Sequence, residues 1–79
     1  MTRSVFTEKY LIFRMLLIEK RNERLVTQAS LAKKLNRPQS FVSKYENGER
    51  RLDVIEFLNV MKALDIDPCD FIEHLNKVT

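Results

Sequence analysis

Turn-forming residues are scarce in this 79-residue chain, which contains one Gly and two Pro. Sandwiches and barrels need many such residues between their strands, and disordered tails have far fewer apolar residues than the 44 % found here. The length suffices for one core, so residues 1–79 are predicted to form one domain. The composition predicts an all-α fold in which helices are joined by short links.

Cysteine and histidine each occur once, as Cys69 and His74, and the chain has no Gly-rich segment. A disulfide within the chain is therefore impossible, which fits a reducing compartment. No HExxH motif, Cys-His pair or metal-ligand spacing is present either. We expect no catalysis, no metal, no cofactor and no small-molecule ligand.

Long apolar runs are also missing. The longest, Tyr10 to Ile18, is interrupted by Arg14, and it is less than half of the roughly 20 residues that cross a bilayer. The first residues, Met1 to Ser4, lack the apolar region and cleavage site of a secretory signal. We therefore expect a cytoplasmic protein without a membrane partner.

Charge is distributed unevenly along the chain. Residues 20–51 contain nine Lys or Arg and three Asp or Glu, a net charge of +6, whereas residues 52–79 contain two and six, a net charge of −4. A basic segment of this kind is typical of a surface that binds a polyanion, although unevenly charged solvated helices would give the same arithmetic.

Capping residues and helix breakers divide the chain into five predicted helices, over about residues 7–21, 28–35, 39–47, 53–64 and 67–78. Thr7, Thr27 and Asp53 are predicted N-caps, and Asp67 precedes a Pro at the first helical position. Asn36 and Gly48 are predicted to end the second and third helices in the left-handed conformation. The fourth helix has a predicted inward stripe of Val54, Phe57, Leu58, Met61 and Leu64. The first helix is apolar on more than one face, so it should contact a second element or a second chain.

The spacing of the second and third helices, over about residues 27–47, is that of a helix-turn-helix, in which the second of the two helices enters the DNA major groove. In this second helix Val42, Tyr45 and Glu46 share one face. The opposite face is short, polar and cationic, formed by Ser40, Ser43, Lys44 and Asn47. Such groups can reach base edges. Glu46 on the buried face requires a cationic partner, because an unpaired buried carboxylate is costly.

The residues around this pattern resemble those of Cro and phage-repressor helix-turn-helix proteins, also called the XRE family. The resemblance extends from about Leu11 to Ile72 and rests on Thr27-Gln28, Leu31-Ala32, Leu35, Phe41 to Gly48, Arg50 and Ala63 to Asp67. It implies a lambda-repressor-like bundle of five helices that binds a double-stranded DNA operator. A protein of this family would regulate transcription and lie in the cytoplasm with the nucleoid.

The resemblance also implies roles for individual positions. It places four side chains against base edges, namely Gln39, Ser40, Ser43 and Lys44. It places five against the DNA backbone, namely Gln28, Arg37, Asn47, Arg50 and Arg51. In this family an Arg late in the first helix pairs with the Glu of the Glu-Asn-Gly motif, which implies an ion pair between Arg21 and Glu46.

Two positions depart from the family pattern. Asn36 stands where a turn Gly is usual, at little cost because Asn tolerates the left-handed conformation. Pro38 replaces the Ser or Thr that usually caps the recognition helix, so a hydrogen bond of about 1 kcal/mol is missing. Phe41 has two interpretations: it packs on the second helix, or it lies against a thymine methyl group.

The last helix carries an apolar stripe of Phe71, Ile72, Leu75 and Val78. This stripe either packs against the first helix of its own chain or forms a two-fold homodimer. A dimer would place two recognition helices about 34 Å apart on a palindromic operator. The sequence therefore predicts a homodimeric transcriptional regulator. The alternative is an antitoxin-like module that neutralises a partner protein, with DNA binding secondary.

Overall fold

The computed structural model describes residues 2–79 of the chain and the side chains of residues 8–79. This part contains five α-helices and no strand. The bounds are α1 Thr2–Glu23, α2 Gln28–Lys34, α3 Gln39–Asn47, α4 Val54–Ala63 and α5 Pro68–Val78. The predicted all-α class, with a helix-turn-helix formed by α2 and α3, is confirmed.

Side chains cap α2, α4 and α5 at their first turns. The Thr27 hydroxyl accepts a hydrogen bond from the backbone N–H of Ser30 at 3.0 Å. Asp53 and Glu56 form a reciprocal capping box at α4, and Asp67 accepts from the N–H of Cys69 at 2.8 Å. These caps agree with the sequence prediction and fix where α2, α4 and α5 begin.

The start of α1 differs from the prediction, because the helix begins at Thr2 instead of after Thr7. No Gly or Pro precedes Thr7 to interrupt a helix. The side chain of Thr7 lies outside the described residues.

Helix ends use the left-handed conformation four times. Asn36 and Gly48 adopt it as predicted, with φ of 57° and 89°. Leu25 and Asp65 also adopt it with φ of 57°, and Leu25 is 92 % exposed. For a residue with a Cβ this conformation costs roughly 1–2 kcal/mol.

One hydrophobic core joins all five helices. Helix α3 packs on α1 and α2, while α1 also contacts α5 and α2 contacts α4. The rings of Phe13, Phe57 and Phe71 meet in the centre, with centroids 5.2–5.9 Å apart. Phe13 is partly buried, and the buried apolar residues besides Phe57 and Phe71 are Leu16, Leu17, Leu31, Ala32, Phe41, Val42, Tyr45, Val60, Met61 and Leu64.

The inward stripe of α4 differs in part from the prediction. Val54 and Leu58 are 69 % and 42 % exposed, whereas Val60 is completely buried. The helix is apolar around most of its circumference, so periodicity alone left its orientation ambiguous. The face that packs inward follows the i, i+3, i+4, i+7 pattern and consists of Phe57, Val60, Met61 and Leu64.

Candidate nucleic-acid interface

Helix α3 has one buried and one exposed face. Phe41, Val42, Tyr45 and Glu46 are 7 % exposed or less and face the other helices. Phe41 therefore packs inward, and its ring meets that of Tyr45 at 5.6 Å between centroids. Because one face of α3 is occupied by the core, only the opposite face is free to meet a ligand.

The buried carboxylate of Glu46 is fully partnered. Arg21 of α1 donates to it twice, from Nε at 2.7 Å and from Nη2 at 3.0 Å. The hydrogen bond to Glu46 raises the pKa of Arg21, so the guanidinium stays charged at neutral pH. Arg21 Nη1 also donates to the carbonyl of Val26 at 2.9 Å, which ties the α1–α2 turn to the same pair. The expected contact between Arg21 and Glu46 is thus present.

Gln28 also contacts Glu46, whereas it was expected to contact the DNA backbone. Its Nε2 donates to Glu46 Oε1 at 2.9 Å, so the side-chain amide points toward the ion pair. Gln28 is also only half-exposed. A phosphate contact by this residue would have to use its backbone N–H at the start of α2.

Arg14 is a second α1 arginine that holds α3, and this role was not predicted from the sequence. Its Nη1 donates to the backbone carbonyl of Glu46 at 3.0 Å. A Cβ added to Gly48 would lie 3.0 Å from the Arg14 guanidinium carbon, so the guanidinium occupies the space beside this glycine. The spacing of the two arginines could have indicated this role, because Arg14 and Arg21 are two helical turns apart and share one face of α1.

The exposed face of α3 carries the residues predicted to contact bases. Gln39, Ser40 and Lys44 are exposed, and Ser43 is half-exposed. The Ser43 hydroxyl donates to the carbonyl of Ser40 at 3.3 Å, one turn earlier. The four side chains therefore form one continuous polar surface.

The C-terminal end of this surface is Asn47. It is exposed, and its Oδ1 accepts from the N–H of Glu49 at 3.2 Å. Arg51 follows and is also exposed, with its guanidinium 4.4 Å from the centre of the Tyr10 ring. The Tyr10 hydroxyl accepts from the N–H of Leu52 at 3.3 Å, which fixes the α3–α4 loop on α1.

Arg37 and Arg50 meet over the ring of Phe41, where their guanidinium carbons lie 4.4 and 4.8 Å from its centre. Both also contact the carboxylate of Glu56. Arg50 donates from both Nη atoms at 3.1 Å, and Arg37 Nη2 lies at 3.4 Å. We call these four residues the Phe41 cluster. The hydrogen bonds from Arg50 hold the pKa of Glu56 below its ordinary value, so the carboxylate is ionised at neutral pH.

The apolar stripe of α5 lies partly in the core and partly on the surface. Its four residues therefore do not share one role in a dimer interface. Phe71 is only 1 % exposed, because it packs in the core of its own chain, and Leu75 packs against that core. Ile72 and Val78 are each 49 % exposed. Ile72 lines an open apolar groove between α4 and α5 together with Val54, Phe57, Leu58, Pro68, Cys69 and Leu75.

Among the described residues, no helix is long and apolar enough to span a membrane. No group of three or more His, Cys, Asp or Glu side chains is arranged to hold a metal ion in the same part of the chain.

The chain is similar to known proteins in both sequence and structure. A helix-turn-helix family model matches residues 17–71. A solved structure, an XRE-family like protein from Pseudomonas syringae pv. tomato str. DC3000, is 44 % identical to this chain with a TM-score of 0.93, and the match covers 99 % of this chain and 95 % of that one. No curated protein matches the chain.

Proposed function

Because the chain belongs to the XRE family of helix-turn-helix proteins, which are DNA-binding regulators, we propose that α3 enters the major groove of a specific operator. The observation that carries this proposal is the division of α3 into a buried face, held by two α1 arginines, and an exposed polar face. A helix held in this way offers its outer side chains to base edges in a fixed orientation.

Base and backbone contacts are divided between two groups of residues. Gln39, Ser40, Ser43 and Lys44 discriminate bases, because amide, hydroxyl and ammonium groups match the donors and acceptors of the major groove. Arg37, Asn47, Arg50 and Arg51 contact the sugar-phosphate backbone and set the register of the protein on DNA. Their positions at the two ends of α3 favour this assignment.

The protein acts as a homodimer on a two-fold symmetric operator. The apolar groove between α4 and α5 supports this proposal, since Val54, Leu58 and Ile72 each expose more than two fifths of their surface. Residues 52–79 are net acidic, so the groove that α4 and α5 form there would face away from DNA while two α3 helices lie about 34 Å apart.

The first experiment selects bound duplexes from a random-sequence pool and then measures their affinity by fluorescence anisotropy at two salt concentrations. The proposal expects a two-fold symmetric site and a steep loss of affinity with salt. Lys44→Ala is expected to relax preference at one base position, by about 1–3 kcal/mol. Arg51→Ala is expected to weaken binding to all sequences alike. No enrichment of any site would contradict the proposed function.

The dimer is tested separately by sedimentation equilibrium. Ile72→Glu is expected to shift the protein toward monomer, because it introduces a charge into the apolar groove. Met15→Glu is the matched control, since Met15 is 58 % exposed and does not line this groove. A monomer at every concentration of the unchanged protein would contradict the dimer and favour a groove that docks a different protein.

A further inference from the structure

The Phe41 cluster contains an acidic residue in the part of the chain that is proposed to face DNA. Glu56 is the third residue of α4, where its Oε1 also accepts from the N–H of Asp53 at 3.0 Å. The same carboxylate contacts Arg50 and Arg37. It therefore joins the start of α4 to the two arginines that flank the first turn of α3.

The acid lies beneath the two cations. The side chain of Glu56 is 12 % exposed, whereas those of Arg50 and Arg37 are 38 % and 47 % exposed. A ligand that approaches from solvent thus meets guanidinium groups, and the carboxylate stays covered. Each guanidinium has five N–H donors, so Arg50 retains donors beyond the two that it directs to Glu56.

The ring of Phe41 fixes the same two arginines from another side. Both guanidinium carbons lie within 4.8 Å of the ring centre, a distance at which cation–π attraction is significant. Long arginine side chains lose rotamer freedom when they bind a phosphate, and a side chain that is already fixed loses less. The cluster therefore has the form of a preorganised anion site.

We propose that Glu56 is a positioning residue for DNA binding, which holds Arg37 and Arg50 on Phe41 as a joint contact for the DNA phosphate backbone. This inference rests on the proposed function. It has an unusual consequence. Loss of an acid from a basic surface normally strengthens the binding of a polyanion, whereas loss of this acid is expected to weaken it.

The test measures affinity for a short random-sequence duplex at low salt, because phosphate contacts act on every sequence. Glu56→Gln is expected to weaken binding about fivefold and to make the salt dependence shallower. The amide oxygen of Gln can still accept from Asp53, so α4 keeps this cap. Circular dichroism at the assay temperature verifies that the variant is folded.

Two matched controls separate positioning from charge and from stability. Glu49→Gln removes an exposed acid from the neighbouring turn, and it is expected to leave binding unchanged or slightly stronger. Asp53→Ala removes the other half of the capping box without a contact to either arginine. It is expected to lower stability but not the affinity of the folded protein.

A double-mutant cycle links Glu56 to its partner. In an Arg50→Ala background, Glu56→Gln is expected to lose most of its effect on affinity, because its main partner is absent. Equal or tighter binding by Glu56→Gln alone, or an undiminished effect in that background, would overturn the inference while leaving the proposed function intact. An unchanged protein that binds no duplex at all would overturn both.

Discussion

The two ends of α3 are held in different ways. At the C-terminal end, Arg14 and Arg21 reach from α1 to the backbone and the side chain of Glu46, in an interior where Glu46 is 5 % exposed. At the N-terminal end, Pro38 provides no side-chain hydrogen bond, and the first turn is flanked by Arg37 and Arg50 of the Phe41 cluster, whose side chains are 47 % and 38 % exposed.

The two ends of α3 therefore have different roles: one end holds the helix in the fold, and the other presents cationic groups at the surface. The buried end fixes the position of α3, because Arg21 is paired with Glu46 and Arg14 donates to the Glu46 carbonyl. The exposed end keeps its cationic groups at the surface, where they are available to phosphates. Substitutions of Arg14, Arg21 and Glu46 should therefore act on folding, and substitutions of Arg37 and Arg50 should act mainly on DNA binding.

Glu46→Ala is expected to have the largest effect on stability, a loss of about 3 kcal/mol, because it leaves the Arg21 guanidinium without its counterion. Urea denaturation monitored by circular dichroism measures this loss. Glu49→Ala, three residues later and exposed, is the matched control and should change stability by less than about 0.5 kcal/mol. Similar losses in the two variants would contradict the structural role of the ion pair.

Gly48→Ala is expected to lower the free energy of unfolding by about 1–2 kcal/mol. A Cβ at this position is strained at φ of 89° and meets the Arg14 guanidinium at 3.0 Å. If the contact contributes, Arg14→Ala should reduce the penalty of Gly48→Ala without abolishing it, since the backbone strain remains. Strict additivity of the two substitutions would show that conformation alone sets the penalty.

Acid pH should affect the exposed end through Glu56, whose pKa is lowered from 4.5 by the hydrogen bonds from Arg50. The ionised carboxylate stabilises the folded state, so this contribution is present above the pKa of the unfolded chain and is lost as pH falls through the lower folded value. As pH falls from the unfolded pKa of Glu56 through its lower folded pKa, the difference in free energy of unfolding between the unchanged protein and Glu56→Gln should become smaller. A difference that persists below the folded pKa would exclude the ion pair as the cause.

Pro38→Ser is expected to have the smallest effect. The new hydroxyl would cap α3 and add about 1 kcal/mol, but loss of Pro makes the unfolded chain more flexible and removes about 0.4–1 kcal/mol. The net change in urea denaturation should stay within about 0.5 kcal/mol. A loss above 1 kcal/mol would mean that the N-terminal end of α3 depends on Pro38 more than this structure indicates.

Local signals made much of the fold predictable. Thr27, Asp53 and Asp67 cap helices through hydrogen bonds to residues two or three positions away, and such contacts depend on the nearby sequence alone. Asn36 and Gly48 ended helices as expected for the same reason. The partnership of Arg21 with Glu46 spans 25 residues, and it was expected only because of the family resemblance.

Long-range contacts were harder to predict. Arg14 lies inside an apolar run, and its partner is a backbone carbonyl that leaves no signature in the sequence. Glu56 forms a local contact, as one half of the capping box of α4. No pattern in the sequence indicated that its carboxylate also contacts Arg37 and Arg50. Phe41 had two interpretations, and the structure favours packing because its exposure is only 7 %.

The single glycine of the chain indicates where the stability of this fold could still be increased. Gly48 stands at the one left-handed helix end where Arg14 fills the space beside the Cα atom. Leu25 adopts the same conformation with its side chain almost completely in solvent. Burial of this side chain therefore does not compensate for the strain in its backbone. The turn between α1 and α2 is thus a position where the fold can gain stability through a glycine without a change to α3, the helix proposed to enter DNA.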